Sequence, residues 1–195
     1  MRGKVLVFLG IMLLAIFTGC DMDNTGNRNV ISQERTVESF NGINLDGVGS
    51  INVRPGENYK VIVTTDSNLQ DRVLTTVNGN VLLITQKSGR FNASELTIDV
   101  YLPDLKSISL NGAGNIKVFN GNSFELVISL SGAGNIDAQD IQVQNVNINH
   151  SGVGNSKIWV TDSLTGSLTG VGNILYKGDP TINVNKTGIG NIRPL

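Results

Sequence analysis

Along the second half of the chain, apolar side chains fall on alternate positions in short runs: Ile108/Leu110, Ile128/Leu130, Val146/Ile148. A period of two places successive side chains on opposite faces of an extended strand. No helical period competes with it beyond the N-terminal segment. Most of these runs lead into one phrase, Gly-small-Gly-Asn, and its first glycine stands at Gly47, Gly112, Gly132, Gly152, Gly170 and Gly188. From Gly112 onward the spacing is 20, 20, 18 and 18 residues. A fixed period of this size marks a solenoid, in which one turn cannot bury its own apolar face and must stack on the next. The expectation is an all-β chain whose residues 106–195 form a right-handed parallel β-helix (β-solenoid) with coils of about 18–20 residues.

Aligning the coils turns sequence columns into ladders spaced about 4.8 Å apart. Three columns read as core. Four residues before the first glycine stand Ile108, Ile128, Ile148, Gly166 and Val184. One after it stand Ala113, Ala133, Val153, Val171 and Ile189. Four after it stand Ile116, Ile136, Ser156, Ile174 and Ile192. The glycine pairs Gly112/Gly114, Gly132/Gly134, Gly152/Gly154, Gly170/Gly172 and Gly188/Gly190 are read as structural, bending the backbone or admitting a close neighbour at a coil corner. The following Asn115, Asn135, Asn155, Asn173 and Asn191 form a column that stacks and hydrogen-bonds along the axis. A phosphate-cradling reading of these glycines needs a helix start after them, and none is predicted.

Residues 34–105 behave differently. "RTVESFNGINLDGVGSINVRPG", "YKVIVTTD", "NVLLITQK" and "ELTIDVYLPDL" read as strands separated by turn signals at Pro55-Gly56, Asn78-Gly79 and Ser88-Gly89. Asn78-Gly79 is a strong hairpin signal. This region is expected to be antiparallel or mixed β structure that precedes and caps the coils.

Composition fits that picture: 195 residues with 23 Gly, 4 Pro and 16% charged side chains suit one β domain rather than a disordered chain. The first twenty residues are set apart. Arg2 and Lys4 precede an apolar stretch from Val5 to Phe17, then "FTGC" ends at Cys20, the only cysteine. The stretch is short for a bilayer span and ends in small residues, as signal peptides do. Cys20 after Thr18-Gly19 resembles a bacterial lipobox, although Phe17 stands where Leu is usual. Cys20 is thus the expected lipidation site, and the N-terminal lipid makes the membrane the first partner. An ordinary secretory peptide and an uncleaved helix are the competing readings. Residues 21–33, "DMDNTGNRNVISQ", read as a flexible tether, leaving 34–195 as the domain. Without Arg2 and Lys4, 13 basic residues face 16 acidic ones. With no basic patch, nucleic acid is not an expected partner.

The segments "ESFNGINLDGVGSINVRPGENYKVIV" and "YLPDLKSISLNGAGNIKV" and the repeated "SGAGNI" resemble the GIN domain, the head domain of auto-transporter adhesins. The resemblance runs from about Glu34 to Leu195. It implies a β-helix-like fold and a cell-envelope location, commonly behind a lipoprotein signal. No series of strands with aromatic girdles suggests a membrane barrel, so a lipid on Cys20 is the expected anchor, in the outer membrane or at the cell surface ahead of the inner membrane.

Catalytic and metal chemistry find little support. One column stacks charges, Lys117, Asp137, Lys157, Leu175 and Arg193, and reads as an outward ion-pair ladder. Asp137 and Asp140 are the pair a glycan-active enzyme would use. His150 is the only histidine and shares a column with Leu110, Leu130, Leu168 and Lys186, which reads as core. No metal site or cofactor is expected. Trp159 is read as a sugar-stacking platform or as a corner-packing residue. The leading expectation is a non-catalytic, lipid-anchored envelope protein, adhesin-like, binding a glycan or extracellular protein on its β-helix flank. The alternative is a structural or assembly protein that self-associates, or meets an envelope partner, through its last coil.

Overall fold

A computed structural model describes residues 25–56 and 58–195. The expected signal segment and lipidation site, residues 1–20 with Cys20, lie outside the described residues. The described residues are all-β apart from one 3₁₀ helix, Ser67–Arg72. Its fifteen strands are β1 (Val30–Arg35), β2 (Gly42–Leu45), β3 (Val48–Pro55), β4 (Lys60–Asp66), β5 (Val73–Asn78), β6 (Val81–Gln86), β7 (Leu96–Leu102), β8 (Ser107–Leu110), β9 (Ala113–Val118), β10 (Gly121–Leu130), β11 (Ala133–His150), β12 (Val153–Leu168), β13 (Val171–Lys177), β14 (Thr181–Lys186) and β15 (Ile192–Pro194). All join one hydrogen-bonded sheet.

The repeat pairs in register, as its spacing predicts. Upstream of each glycine motif, β2, β8 and the C-terminal parts of β10, β11 and β12 lie parallel, followed by β14. They align Leu45, Leu110, Leu130, His150, Leu168 and Lys186. Downstream, β3, β9, the first parts of β11 and β12, then β13 and β15 align Ile51, Ile116, Ile136, Ser156, Ile174 and Ile192. Each repeat thus contributes one rung that turns a corner at its glycines. The inward members of both ladders merge into one apolar core, in which Leu110, Ile116, Leu130 and Ile136 are fully buried.

The corner explains the glycines. Backbone stacks directly on backbone there: Ala133 N–H donates to Gly112 O at 2.9 Å and Val153 N–H to Gly132 O at 2.9 Å. A Cβ on Gly132 would lie 1.9 Å from Gly112 O, and one on Gly134 1.7 Å from Gly114 O, where φ is also +144°. The first glycine is required by the close approach, and the second by both that approach and its left-handed backbone. The last two corners repeat this geometry. Gly172, inside β13, has φ +144° and would drive a Cβ into Gly154 O; Gly190, just ahead of β15, has φ +143° and would drive one into Gly172 O. The two roles that the sequence offers for these glycines as alternatives, bending and close approach, therefore coincide at Gly172 and Gly190.

The asparagine ladder forms beside the corner. Asn135 Nδ2 donates to Asn115 Oδ1 at 2.9 Å, Asn173 Nδ2 to Asn155 Oδ1 at 2.8 Å, and Asn191 N–H to Asn173 Oδ1 at 3.0 Å.

One expected core column is overturned. Ala113, Ala133, Val153, Val171 and Ile189 are exposed, Ile189 to 74%. The residue between the two glycines sits at the apex of the bend, and the tight backbone stacking leaves its side chain the outer side. The columns four before and four after the first glycine are buried or half-buried throughout, as expected.

The leading region contains more of the repeat than its sequence suggests. The Gly47 motif joins β2 to β3, and both sit in the same ladders as β8 and β9. Beyond them β6 lies parallel to β2 and β7 parallel to β3, so a further rung stacks outside the first although it comes later in the chain. The parallel in-register pairing therefore begins before residue 106. The antiparallel pairs β1–β4, β4–β7 and β5–β6 complete the mixed structure expected there. Asn78 opposes Val81 across a two-residue turn in which Gly79 has φ 56° and Asn80 φ 67°. These are the two positive angles that match strand twist in a tight hairpin.

Within the expected tether 21–33, residues 21–24 lie outside the described residues. Residues 30–33 belong to β1, and the segment just before it is tied down by Asp66. This buried carboxylate accepts from Arg28 N–H at 2.5 Å, Ser94 N–H at 2.7 Å and Ser94 Oγ–H at 2.8 Å. Burial alone would raise its pKa, but these donors outweigh that and hold it below the usual carboxylate value.

Candidate functional site

The outer face of β11 and β12 ahead of the glycine corner is rich in amide and hydroxyl groups. Strand alternation sends Asn145, Asn147 and Asn149 outward between buried Val146 and Ile148. Register then sets Ser163, Thr165 and Ser167 beside them. Ser163 Oγ donates to Asn145 Oδ1 at 2.6 Å and Ser167 Oγ to Asn149 Oδ1 at 2.9 Å, which fixes the rotamers of this polar bed.

Two of the troughs in this surface hold side chains of interest. One, of about 510 Å³, runs past Asn115, Asn135 and Asn155 between Lys117, Asp137 and Lys157. The expected ion-pair ladder is not formed there. Lys117 Nζ faces Asp140 at 4.0 Å, and Asp137 instead accepts from Gln139 Nε2 at 3.1 Å. Although Lys117 and Asp137 are register partners, the two aspartates serve different side chains.

The other trough, of about 610 Å³, is lined by Asn122, Phe124, Gln142, Gln144, Asp104 and Asp162, among others. Two smaller troughs, of about 360 and 320 Å³, also end on Phe124, whose ring stands as a ridge between the three. The corner glycines, Gly172 and Gly190 included, line none of these four troughs. Phe124 is 69% exposed. Other outlying rings are covered: Lys177 Nζ lies 3.6 Å from the centroid of half-buried Trp159, Arg54 and Lys117 flank Phe119, and Tyr59 packs on Phe40. Among the described residues neither a cation nor a second ring covers Phe124. No sequence signal marks it: Phe124 keeps the alternation phase of buried Leu126, Ile128 and Leu130 and is turned outward only because that phase breaks within β10.

His150 is fully buried. Its Nδ1 lies 3.4 Å from Ser156 Oγ, its Nε2 has no hydrogen-bond partner, and burial lowers its pKa. It is a neutral core residue at pH 7, in keeping with its leucine column. Among the described residues no group of three or more His, Cys, Asp or Glu side chains is placed to hold a metal ion.

Over residues 39–129 and 114–180 the sequence matches the family described as "Putative auto-transporter adhesin, head GIN domain". The chain belongs to the GIN-domain family. Two solved structures share its fold. A "putative adhesin" from Bacteroides fragilis NCTC 9343 is 24% identical, with a TM-score of 0.53, over 88% of this chain and 99% of that one. A "putative cell adhesion protein" from Clostridium sporogenes ATCC 15579 is 20% identical, with a TM-score of 0.51, over 85% and 100%. No curated protein matches the chain. Within this GIN domain, the repeated glycines and asparagines build the scaffold, while Phe124 and its neighbours are what the scaffold displays.

Proposed function

We propose that this GIN-domain protein is a non-catalytic, lipid-anchored adhesin of the cell envelope, wound as a right-handed parallel β-helix and held to the membrane through Cys20. The family match carries the reading. The stacked rungs support it, because in-register pairing and one continuous core give a stiff scaffold whose outward side chains keep fixed spacings. Loss of the protein from intact cells on protease shaving, and release of a Cys20→Ala variant from the membrane fraction, are the expected results. Protection until the cells are permeabilised would remove the adhesin reading.

A second reading, assembly through the last rung, is favoured by one observation. Among the described residues β14 pairs only with β12 and β15 only with β13, which leaves their outer edges open. Concentration-dependent growth in mass by light scattering is its expected sign.

A further inference from the structure

Phe124 combines three features that a purely structural residue does not need: a bare ring, a hydrogen-bonding rim and adjoining space. The ring is 69% exposed and uncovered, whereas Trp159 and Phe119 are capped by cations. Around it stand amides from adjacent rungs, Asn122 beside Gln142 in register, with Gln144 next along the strand. The trough of about 610 Å³ falls within the roughly 300–1,000 Å³ typical of small-ligand sites.

We propose that this trough binds a neutral oligosaccharide, with Phe124 as the stacking platform. A pyranose presents an apolar face of C–H groups and a rim of hydroxyls. The C–H face lies on the aromatic ring, and the hydroxyls meet groups that both donate and accept, which amides do. Asp104 and Asp162 accept from hydroxyls and repel sulfated or carboxylated sugars; Lys106, 3.3 Å from Asp104, offsets one of these charges. A protein partner fits less well. The exposed apolar island consists of Phe124 and Val127, too little for the apolar centre of a protein interface. The amides stand on two adjacent rungs, about 4.8 Å apart, and the next rung lines the trough with Thr161 and Asp162, so a sugar on the ring meets hydroxyl-binding groups from more than one rung.

The inference rests on the adhesin reading but fails separately from it. The full chain is applied to immobilised neutral oligosaccharides of hexose and N-acetylhexosamine and to their sulfated counterparts, and the best neutral binder is then titrated in solution. The expected result is binding to neutral members, weakened about tenfold or more by Phe124→Ala, retained by Phe124→Trp and unchanged by Lys157→Ala in the other trough. Unchanged melting of the Phe124→Ala protein keeps the loss specific. No binding to any neutral sugar, equal or better binding to sulfated ones, or full binding by Phe124→Ala overturns the proposal. Cells displaying the chain separate the two ideas. Adhesion that survives Phe124→Ala leaves an adhesin without this site. Sugar binding by a protein that confers no adhesion leaves the site without the adhesin.

Discussion

The rung that carries Leu130 and Ile136 and the next one, which carries His150 and Ser156, pair residue for residue in both ladders. Their backbones take the same corner, with φ of 144° at Gly134 and 143° at Gly154. Their interiors differ. The first rung buries two aliphatic side chains. The second buries an imidazole and a hydroxyl at the equivalent positions, facing each other across the corner at 3.4 Å. The two departures from the repeat fall together, and each gives the other its one polar contact. Backbone stacking and the glycine corner therefore set the rung geometry, while the core of one rung holds a polar pair in place of two aliphatic side chains.

Three changes break or sharpen this comparison. Placing one half of the polar pair alone in the apolar rung has the largest effect. Ile136→Ser leaves a cavity and a hydroxyl with no imidazole opposite, and should cost about 3–5 kcal/mol in urea unfolding. A cost close to zero would mean that the rung interiors are loosely packed. Restoring the repeat in the polar rung runs the other way. His150→Leu with Ser156→Ile removes the buried, unpartnered Nε2 and adds apolar burial, for a gain of about 1–3 kcal/mol. Either single change should do worse than the pair, and a double-mutant cycle reads the coupling.

The smallest effect is on pH dependence. Burial holds the folded pKa of His150 below its unfolded value of about 6.5. The unfolded chain therefore binds the proton first as pH falls. The stability tied to neutral His150 is fully present above the unfolded pKa and is lost as pH drops toward the folded one. Asp66, also lowered on folding, acts in the same direction but in the carboxylate range. Melting temperatures measured from pH 8 to pH 5 should fall in the wild type and stay flatter in His150→Leu. An equal slope in both would assign the pH response elsewhere.

The outward surface shows where sequence columns stop being informative. The alternation of Val146 and Ile148 with Asn145 and Asn147 is enough to say which side faces water. Nothing in the same line separates Phe124 from Trp159, since both are aromatics outside the repeat columns. Lys177, one repeat away from Trp159 in space, covers its ring, and among the described residues no equivalent cation covers Phe124. That distinction needs the stacked neighbour, not the local pattern.

The chain alone determined its rungs. A period of 20 then 18 residues, with glycines where backbones meet and asparagines beside them, leaves in-register parallel stacking as the arrangement that satisfies the glycine and asparagine columns at once. Each requirement is met by the same position one repeat away, as Gly172 meets Gly154 and Gly190 meets Gly172, so it is written locally. Tertiary structure decided the rest. Ala113 and its column point outward because the direction of a side chain at a bend depends on the corner formed by two stacked backbones. The β6–β7 rung lies outside β2–β3 because strand pairing follows the free edge rather than chain order. His150 and Ser156 lie six residues apart and meet because the corner between them folds one ladder's interior onto the other's.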